Sequence, residues 1–355
     1  MLKIGFYLNE INYRGISNSV YLFAKNNEKI LKNKSIIFYW AKSNDNNKEV
    51  INKFKKKFKL YKVKNFHELD KLSKKLKLDF CYFQRAGRKE YLLKNTKNIV
   101  HAVFPEKNEY HGDNYAYISK WLSKNCSNNK FSYVPLPIRL LKNNQNLRKK
   151  LKIPKHAKVF GCHGGPASFD LNFVKDAVKK ISKSNENIYF CFMNINKFIS
   201  HKKVFFLKGS FSQIQKVKFI NTCDAMLHAR SLGESFGISC AEFLVKNKTI
   251  LTYEYCKHRS HFEICKENLI SYNSFNNLIN KLINFNKKKI DNSNVKKIFS
   301  EENTIKEFNK VFLKNNIKLS LTLIDYIFIF FFNLKRNYFY VRHKIYINLY
   351  KFFKI

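Results

Sequence analysis

The sequence predicts an α/β protein with two tandem βαβ domains and a helical tail rich in aromatic and basic residues. Three observations support this fold class. Short apolar runs typical of buried strands alternate with segments of helical periodicity. The alternation stops near residue 140, resumes at residue 158, and gives way to a different composition over residues 317–355. A chain of 355 residues also exceeds what one hydrophobic core usually serves, so at least two domains are expected.

The first domain, residues 1–140, is predicted from apolar runs that helical segments separate. Helices are indicated by "ISNSVYLFAKNNEKIL" and by the region around "YISKWLSKN". Because helices join consecutive strands, we expect a mainly parallel sheet covered on both faces. The predicted strands are "KIGFYL" (3–8), "SIIFYWA" (35–41), "DFCYFQ" (79–84), "NIVHAVF" (98–104) and "SYVPLPI" (132–138).

The second domain, residues 141–316, begins after a polar and basic stretch, "RLLKNNQNLRKKLKIPKHAK", which contains no strand pattern. Helices are predicted over 170–183, over 212–220 and after Gly237. The same alternation therefore predicts a second sheet of the same kind. Its predicted strands are "KVFGCHGG" (158–165), "IYFCFM" (188–193), "VFFL" (204–207), "DAMLHA" (224–229) and "TILTY" (249–253).

The tail, residues 317–355, allows two interpretations. Its first part, "IKLSLTLIDYIFIFFFNL", approaches the roughly 20 apolar residues that a membrane span needs, but Asp325 in the middle counts against spanning. An interfacial helix followed by a basic aromatic strip would suit attachment to an anionic membrane surface. The alternative is a terminal helix that packs back on the domains.

The formal net charge is +43, from 68 Lys and Arg against 25 Asp and Glu. Such a charge is typical of proteins that bind polyanions, anionic lipid or phosphorylated ligands. Lysine, asparagine, isoleucine, phenylalanine and tyrosine also share A/T-rich codons, so base composition is an equally good explanation. No RNA-recognition signature, zinc finger or basic zipper is present in the sequence, and a specific nucleic-acid partner is not expected.

The eight cysteines predict buried free thiols. No two of them have the C-x-x-C spacing of a zinc ribbon, and most lie inside apolar runs such as "YFCFM". This usage suits a reducing compartment. The opening "MLKIGFYLNE" lacks the apolar core and cleavage site of a secretory signal, so a cytoplasmic location is expected, peripheral on the inner face of a membrane if the tail attaches there.

The stretch "HARSLGESFGISCAEF", residues 228–243, contains two glutamates, Glu234 and Glu242, with seven residues between them. It should form the loop after one strand and the helix that follows, at the sheet edge where α/β proteins bind ligands. Gly237 would let the backbone approach a ligand, and the free N–H groups of the helix start would attract an anion. Carboxylates accept hydrogen bonds from hydroxyls, so the glutamates point to a sugar-containing ligand.

The segment "CDAMLHARSLGESFGISCAEFLVKNKTIL" resembles the donor site of retaining glycosyltransferases of the GT-B fold, particularly the family-four group (glycosyltransferase group 1 type). The matching residues occur in the family's order: Ser231, Glu234, Phe236, Gly237 and Glu242. "VPLPI", "LRKKLKIPKHAKVFGCHGG" and "NYRGISNSVYLFA" resemble the family's linker, the start of its second domain and its first glycine loop. The resemblance covers roughly residues 1–315 and implies two Rossmann-like domains.

The resemblance also implies the chemistry. An acceptor hydroxyl would attack the anomeric carbon of a nucleotide-diphosphate sugar with retention, and no metal or other cofactor would be needed. Glu234 would bind hydroxyls of the transferred sugar, Glu242 would bind the ribose, and the backbone of Phe236 and Gly237 would bind the diphosphate. Ser231 belongs to the same donor site. His101, at the end of a strand, would face the sugar; His111 is the other candidate, and a hydrogen-bonded structural histidine is the alternative for both.

Two departures from the family's pattern bear on activity. The arginine and lysine that usually follow the glycine strand and clamp the diphosphate are missing from "HGGPASFDLNFV". Arg230 and His163 are the candidates to replace them, and Gly164, which follows His163, belongs to the same predicted donor site. In the first domain only Gly15 remains of the usual glycine pair, with Arg14 beside it as a candidate phosphate ligand or a solvated loop residue.

Two functions therefore remain open. One is transfer of a sugar to an acceptor that is a glycan or a lipid-linked glycan. The other is a catalytically degenerate GT-B scaffold that binds a sugar or a protein partner.

Overall fold

Parallel strands joined by helices make up both halves of the protein, which we describe from a computed structural model. The structure describes residues 1–105, 109–287, 291–314 and 320–353. Each half contains a six-stranded parallel sheet, and a long helix ends the chain. The predicted α/β class with two Rossmann-like sheets and a helical tail is thereby confirmed.

The chain divides into two units, and each contains segments from two places in the sequence. The first unit comprises Met1–Ile138 and Lys297–Phe332, and the second comprises Arg139–Lys296 and Asn333–Ile355. The predicted domain boundaries after residues 140 and 316 stay predictions, and residues 315–319 lie outside the described residues.

The sheet of the first unit has the strand order β3-β2-β1-β4-β5-β6, so the order reverses between β1 and β4. Its central strands are almost continuously apolar, as expected of a sheet buried on both faces. The strands are β1 (Lys3–Leu8), β2 (Lys34–Trp40), β3 (Lys59–Val63), β4 (Phe80–Arg85), β5 (Lys97–Ala102) and β6 (Asn114–Tyr117). The helices are α1 (Gly15–Lys29), α2 (Lys48–Lys55), α3 (Phe66–Lys75), α4 (Lys120–Ser127) and α11 (Glu301–Phe308), which continues as a π-helix over Asn309–Leu313.

The second unit repeats this arrangement with the order β14-β12-β10-β7-β8-β9, and the reversal lies between β7 and β10. Its six strands are β7 (Lys158–His163), β8 (Ile188–Met193), β9 (Val204–Leu207), β10 (Ala225–His228), β12 (Thr249–Tyr253) and β14 (Leu269–Tyr272), beside a small pair formed by β11 (Gly233–Glu234) and β13 (His258–Arg259). The helices are α5 (Asn172–Lys183), α6 (Gln213–Thr222), α7 (Ile238–Val245), α8 (Ser260–Cys265), α9 (Phe275–Ile283) and α10 (Ser293–Ile298), with a 3₁₀ turn over Lys266–Asn268.

The predicted strand over 132–138 is wrong. In that segment Tyr133 forms one isolated bridge with Tyr117, and the rest is extended chain without ladder pairing. The physical reason is that Pro135 and Pro137 have no N–H to donate to a sheet. The helix predicted around 117–125 begins later, because the Ser119 side chain caps α4 by accepting from the Leu122 backbone N–H.

The tail forms helix α12 (Leu323–Phe353), whose residues up to Phe332 belong to the first unit and the rest to the second. Residues 317–319 and 354–355 of the predicted tail lie outside the described residues. Within the described ranges, no helix has the length and apolarity required to cross a membrane. All eight cysteines are buried free thiols in the described chain, as the sequence predicts.

Candidate functional site

The predicted donor residues lie at the reversal of strand order in the second unit. β7 and β10 are neighbours in the sheet, and the chain leaves their carboxyl ends toward opposite sides. A crevice at such a position is where open α/β sheets bind ligands. His163 is the last residue of β7 and His228 is the last residue of β10, so the sequence motif begins at this end of the sheet.

Two glycines shape the loop between β10 and α7. Gly233 has φ +70°, and a Cβ there would lie 2.0 Å from the His258 carbonyl oxygen of β13. Gly237 has φ +95° and is the N-cap of α7. Other residues are strained at both positions, which is why the loop requires glycine. The predicted diphosphate ligand Phe236 is buried, so only its backbone could serve a ligand, as the resemblance implies.

Glu242 lies one turn into α7 and its carboxylate is enclosed by two basic side chains. The Lys216 ammonium of α6 donates to Oε1 at 2.7 Å, and His163 Nε2 lies 3.0 Å from Oε2. The Glu242 side chain is only 1% exposed. Burial raises its pKa, but Lys216 and His163 outweigh burial and bring the pKa down to about 2. Glu242 is therefore ionised at neutral pH.

Glu234 is held in a similar way on the loop itself. Arg230 NH1 lies 3.2 Å from both carboxylate oxygens, and His228 Nε2 lies 3.3 Å from Oε1. Burial raises the pKa of Glu234. The hydrogen bond from His228 and the charge of Arg230 lower it by more than burial raises it, so the pKa falls to about 2. Both predicted carboxylates are thus acceptors of hydrogen bonds at neutral pH.

A chain of buried polar side chains fixes the orientation of His228. Its Nδ1 lies 2.7 Å from Thr252 Oγ1, and that hydroxyl lies 3.0 Å from His261 Nε2. With both rings neutral, one proton arrangement satisfies every contact: His261 donates to Thr252, Thr252 donates to His228, and His228 donates to Glu234. Burial lowers the pKa of His261 well below its usual range, which keeps that ring neutral.

Ser231 fastens the loop to the segment before α5. Its backbone N–H donates to Asp170 Oδ1 at 2.7 Å and its hydroxyl donates to Oδ2 at 2.9 Å. The Asp170 backbone N–H in turn donates to the Ala229 carbonyl at 3.0 Å. The Ser231 hydroxyl is thereby already engaged within the unit.

The exit of β7, where the resemblance would place a basic clamp, carries no arginine or lysine from Gly164 to Val174. Gly164 is tightly packed: its carbonyl accepts from Asn194 Nδ2 at 2.6 Å, and a Cβ there would lie 2.4 Å from Ser168 Oγ. The two predicted replacements contact the glutamates instead, Arg230 with Glu234 and His163 with Glu242. Lys216 adds a further basic side chain that the sequence did not single out.

The first-unit candidates have different environments. His101 is fully buried; its Nδ1 contacts the Tyr82 hydroxyl at 2.7 Å and its Nε2 contacts the Val134 carbonyl at 2.8 Å. Burial lowers the pKa of His101 to about 3. This geometry favours the structural histidine of the two alternatives. The other candidate, His111, is also buried, and its Nδ1 lies 2.7 Å from the Glu109 carbonyl.

Arg14 and Gly15 stand at the start of α1. Arg14 is the N-cap and Gly15 is the first helical residue. The Arg14 guanidinium is half exposed and pairs with Glu10 at 2.7 Å and Asp45 at 3.2 Å. Its phosphate-binding role stays a prediction.

Lys216, Asp170, His228, Thr252 and His261 were not predicted as site residues. His228 stands inside the motif, so its position at a strand end was an available signal. The others reach the loop from distant parts of the sequence, as Lys216 does from α6. As for metals, the described part of the chain contains no cluster of three or more His, Cys, Asp or Glu residues able to hold an ion.

Comparison with known proteins identifies the architecture. No protein-family model matches the chain, and no curated protein matches it in sequence. Solved structures do match. HepE from Anabaena, in complex with UDP and glucose, is 12% identical with a TM-score of 0.65, over 89% of this chain and 100% of that one. The chain has the GT-B fold.

Two further glycosyltransferase structures match over nearly their whole length. The lipopolysaccharide outer core galactosyltransferase WaaB, in its apo form, is 13% identical with a TM-score of 0.59, over 88% of this chain and 99% of that one. A glycosyltransferase from Rickettsia africae is 14% identical with a TM-score of 0.57, over 93% and 97%. At such identities the likeness shows the fold alone. The placement in the family-four group stays a prediction.

Proposed function

We propose that this GT-B chain transfers a sugar from a nucleotide-diphosphate donor to an acceptor hydroxyl. One observation carries the proposal: Glu234 and Glu242 are both ionised, lie on either side of the glycine that begins α7, and stand at the strand-order reversal of the second sheet. A helix start suits a diphosphate, and flanking carboxylates suit hydroxyls. The Anabaena HepE structures, whose complexes contain UDP and UDP-glucose, support this class of ligand.

In this proposal Glu242 binds the ribose of the donor. The enclosed carboxylate must first exchange a partner, and Lys216 is the side chain to move, since its flexible stem can redirect the ammonium. Lys216 and His163 would then stand beside the diphosphate. Lys216 supplies positive charge that the chain lacks between Gly164 and Val174, and His163 supplies a ring nitrogen within reach of the same site.

Glu234 binds hydroxyls of the transferred sugar while Arg230 and His228 hold the carboxylate in place. The acceptor oxygen forms a bond to the anomeric carbon, the bond from that carbon to the phosphate oxygen breaks, and the nucleoside diphosphate leaves with the electron pair. The acceptor proton passes to the leaving phosphate or to solvent. The N–H groups at the start of α7 stabilise the charge on the leaving group. Retention and independence from metal are carried by the resemblance alone.

The proposed acceptor is a glycan or a lipid-linked glycan. We propose that the enzyme works in the cytoplasm, peripheral to the inner face of a membrane, without a specific nucleic-acid partner. The chain's basic charge and its aromatic tail support the proposed attachment to a membrane surface.

The second candidate function is a degenerate GT-B scaffold that binds a sugar or a protein. The observation in its favour is the enclosure of Glu242 together with the absence of arginine and lysine after β7. A scaffold of this kind would keep the fold and show no turnover.

Calorimetric titration of the full chain with UDP-glucose and a panel of other nucleotide sugars tests the proposal. We expect saturable binding of one of them, weakened at least tenfold by Glu242→Gln, because the neutral amide is a poorer acceptor than the carboxylate. Glu267→Gln is the matched control, since Glu267 is exposed and precedes β14 at the other edge of the same sheet. Binding without sugar release or transfer supports the scaffold, and absence of binding across the panel contradicts a working donor site.

A further inference from the structure

The outward face of α12 within the second unit is an apolar stripe. Its residues recur every three or four positions, which is the period of one helix face. Their exposed fractions range from 48% for Leu349 to 83% for Phe352. This outward stripe consists of Leu334, Tyr338, Val341, Ile345, Leu349 and Phe352.

The opposite face of α12 is packed in each unit. In the first unit, Asp325 is 1% exposed and accepts from Asn128 Nδ2 at 3.1 Å, and the ring of Phe332 packs against Trp121. In the second unit, the Tyr346 hydroxyl accepts from the Phe275 backbone N–H at 2.7 Å and the Tyr350 hydroxyl donates to Asp176 at 2.9 Å. These contacts fix the rotation of the helix, so the stripe is held facing outward.

Basic residues border the stripe on both sides. At 100° per residue, Lys335 and Arg342 lie along one edge of the stripe, and Lys344 and Lys351 lie along the other. All four side chains are exposed. The one acidic residue of the helix, Asp325, lies on the packed face. The exposed surface of α12 within the second unit is therefore apolar at its centre and positive at its edges.

The apolar centre and basic edges of the stripe indicate which kind of partner could cover it. Apolar side chains in water favour any partner that buries them. A second copy of the helix would bring lysines and arginines against each other. An anionic lipid surface accepts the apolar centre into its acyl boundary while Lys and Arg extend to the headgroups.

We propose that the outward stripe of α12 binds anionic lipid, with the helix lying in the plane of the membrane interface. This proposal combines the two interpretations of the tail, because one face of the helix packs on the protein and the other face contacts lipid. The proposal specifies the surface for the membrane attachment suggested above, but it requires neither a donor sugar nor turnover.

Co-sedimentation of the full chain with lipid vesicles tests it. We expect binding to vesicles of phosphatidylcholine mixed with phosphatidylglycerol, weak binding to phosphatidylcholine alone, and weakening by salt. Ile345→Ser with Leu349→Ser should reduce binding at least about tenfold, because two apolar side chains no longer enter the acyl boundary. The matched control is Ile214→Ser, since Ile214 is also exposed but lies on α6.

The charge contribution is tested separately with Lys335→Gln and Lys351→Gln combined. Binding to the anionic vesicles should fall several-fold, while Lys150→Gln with Lys183→Gln, two exposed lysines elsewhere, should leave it unchanged. All variants should retain the wild-type thermal unfolding and nucleotide-sugar binding, so a failure here is distinguishable from failure of the proposed function.

Three results would overturn the proposal. The first is wild-type chain that stays in the supernatant with anionic vesicles. The second is equal binding by the Ile345 and Leu349 variant. The third is a self-associated species in analytical ultracentrifugation that this variant abolishes, which would assign the stripe to a second copy of the chain.

Discussion

The two sheets of this protein have the same strand order but different chemistry at the carboxyl ends of their strands. In the first unit, His101 near the end of β5 is sealed among aromatic rings, with both ring nitrogens bonded to protein groups. In the second unit, the corresponding edge carries Glu234 and Glu242, each ionised and each paired with basic side chains. The comparison teaches that the fold supplies the position of a crevice, whereas a few side chains decide whether it becomes a charged site.

The largest expected effect is a loss of stability when the ion pair between Lys216 and Glu242 in the second unit is removed. Lys216→Met removes the closest cation from Glu242 and leaves a buried carboxylate poorly paired, so the free energy of unfolding should fall by about 3 kcal/mol. Urea denaturation measures the loss. Adding Glu242→Gln in the same chain should recover much of it. Lys218→Met, on the same helix, is the matched control, and an equal loss in that variant would contradict a specific role for the ion pair.

The next effect separates His101 from the two carboxylates by the pH range in which each affects stability. His101 has its pKa lowered by burial to about 3, so the unfolded chain binds its proton first and stability falls as pH drops below about 6.5. The carboxylates of Glu234 and Glu242 act at lower pH: their folded pKa of about 2 means that their stabilisation is lost as pH falls from about 4.5 toward 2.

His101→Gln should therefore lower stability at pH 7 and also flatten its decline between pH 7 and pH 5 by about 2 kcal/mol. Denaturation in urea at several pH values measures this slope. The buried His258 and His261, whose pKa values are also lowered, retain their own share of the decline. His156→Gln, at an exposed position, is the control, and a wild-type slope in His101→Gln would show that His101 does not titrate on unfolding.

The smallest expected effect concerns the polar chain behind Glu234. Thr252→Val keeps the shape of the side chain and removes the hydroxyl between His228 and His261, so stability should fall by about 1 kcal/mol. Thr249→Val, in the same strand, provides the comparison. Nucleotide-sugar binding should weaken with Thr252→Val, since His228 loses the contact that orients it toward Glu234. Unchanged binding and stability would assign the hydroxyl no positioning role.

Sequence reasoning reached the fold class and the loop because both depend on local pattern. The periods of strands and helices can be read from residues that are close together in the sequence. Gly233 and Gly237, which adopt positive φ, lie within the motif itself. The pattern failed at 132–138, where apolar residues suggest a strand but Pro135 and Pro137 prevent ladder pairing. It did not include β3, an edge strand whose sequence "KLYKV" mixes lysines with apolar residues.

The sequence by itself determined the alternation of strands and helices, the glycines of the loop and the two carboxylates, because each of these depends on residues close together in the chain. Only the tertiary structure decided which partners those carboxylates meet. Lys216 reaches Glu242 across 26 positions and Asp170 reaches Ser231 across 61. The packing of α12 likewise decided which of its apolar residues face outward. The physical reason is that partner choice and exposure depend on how distant segments pack, and local periodicity carries no information about that.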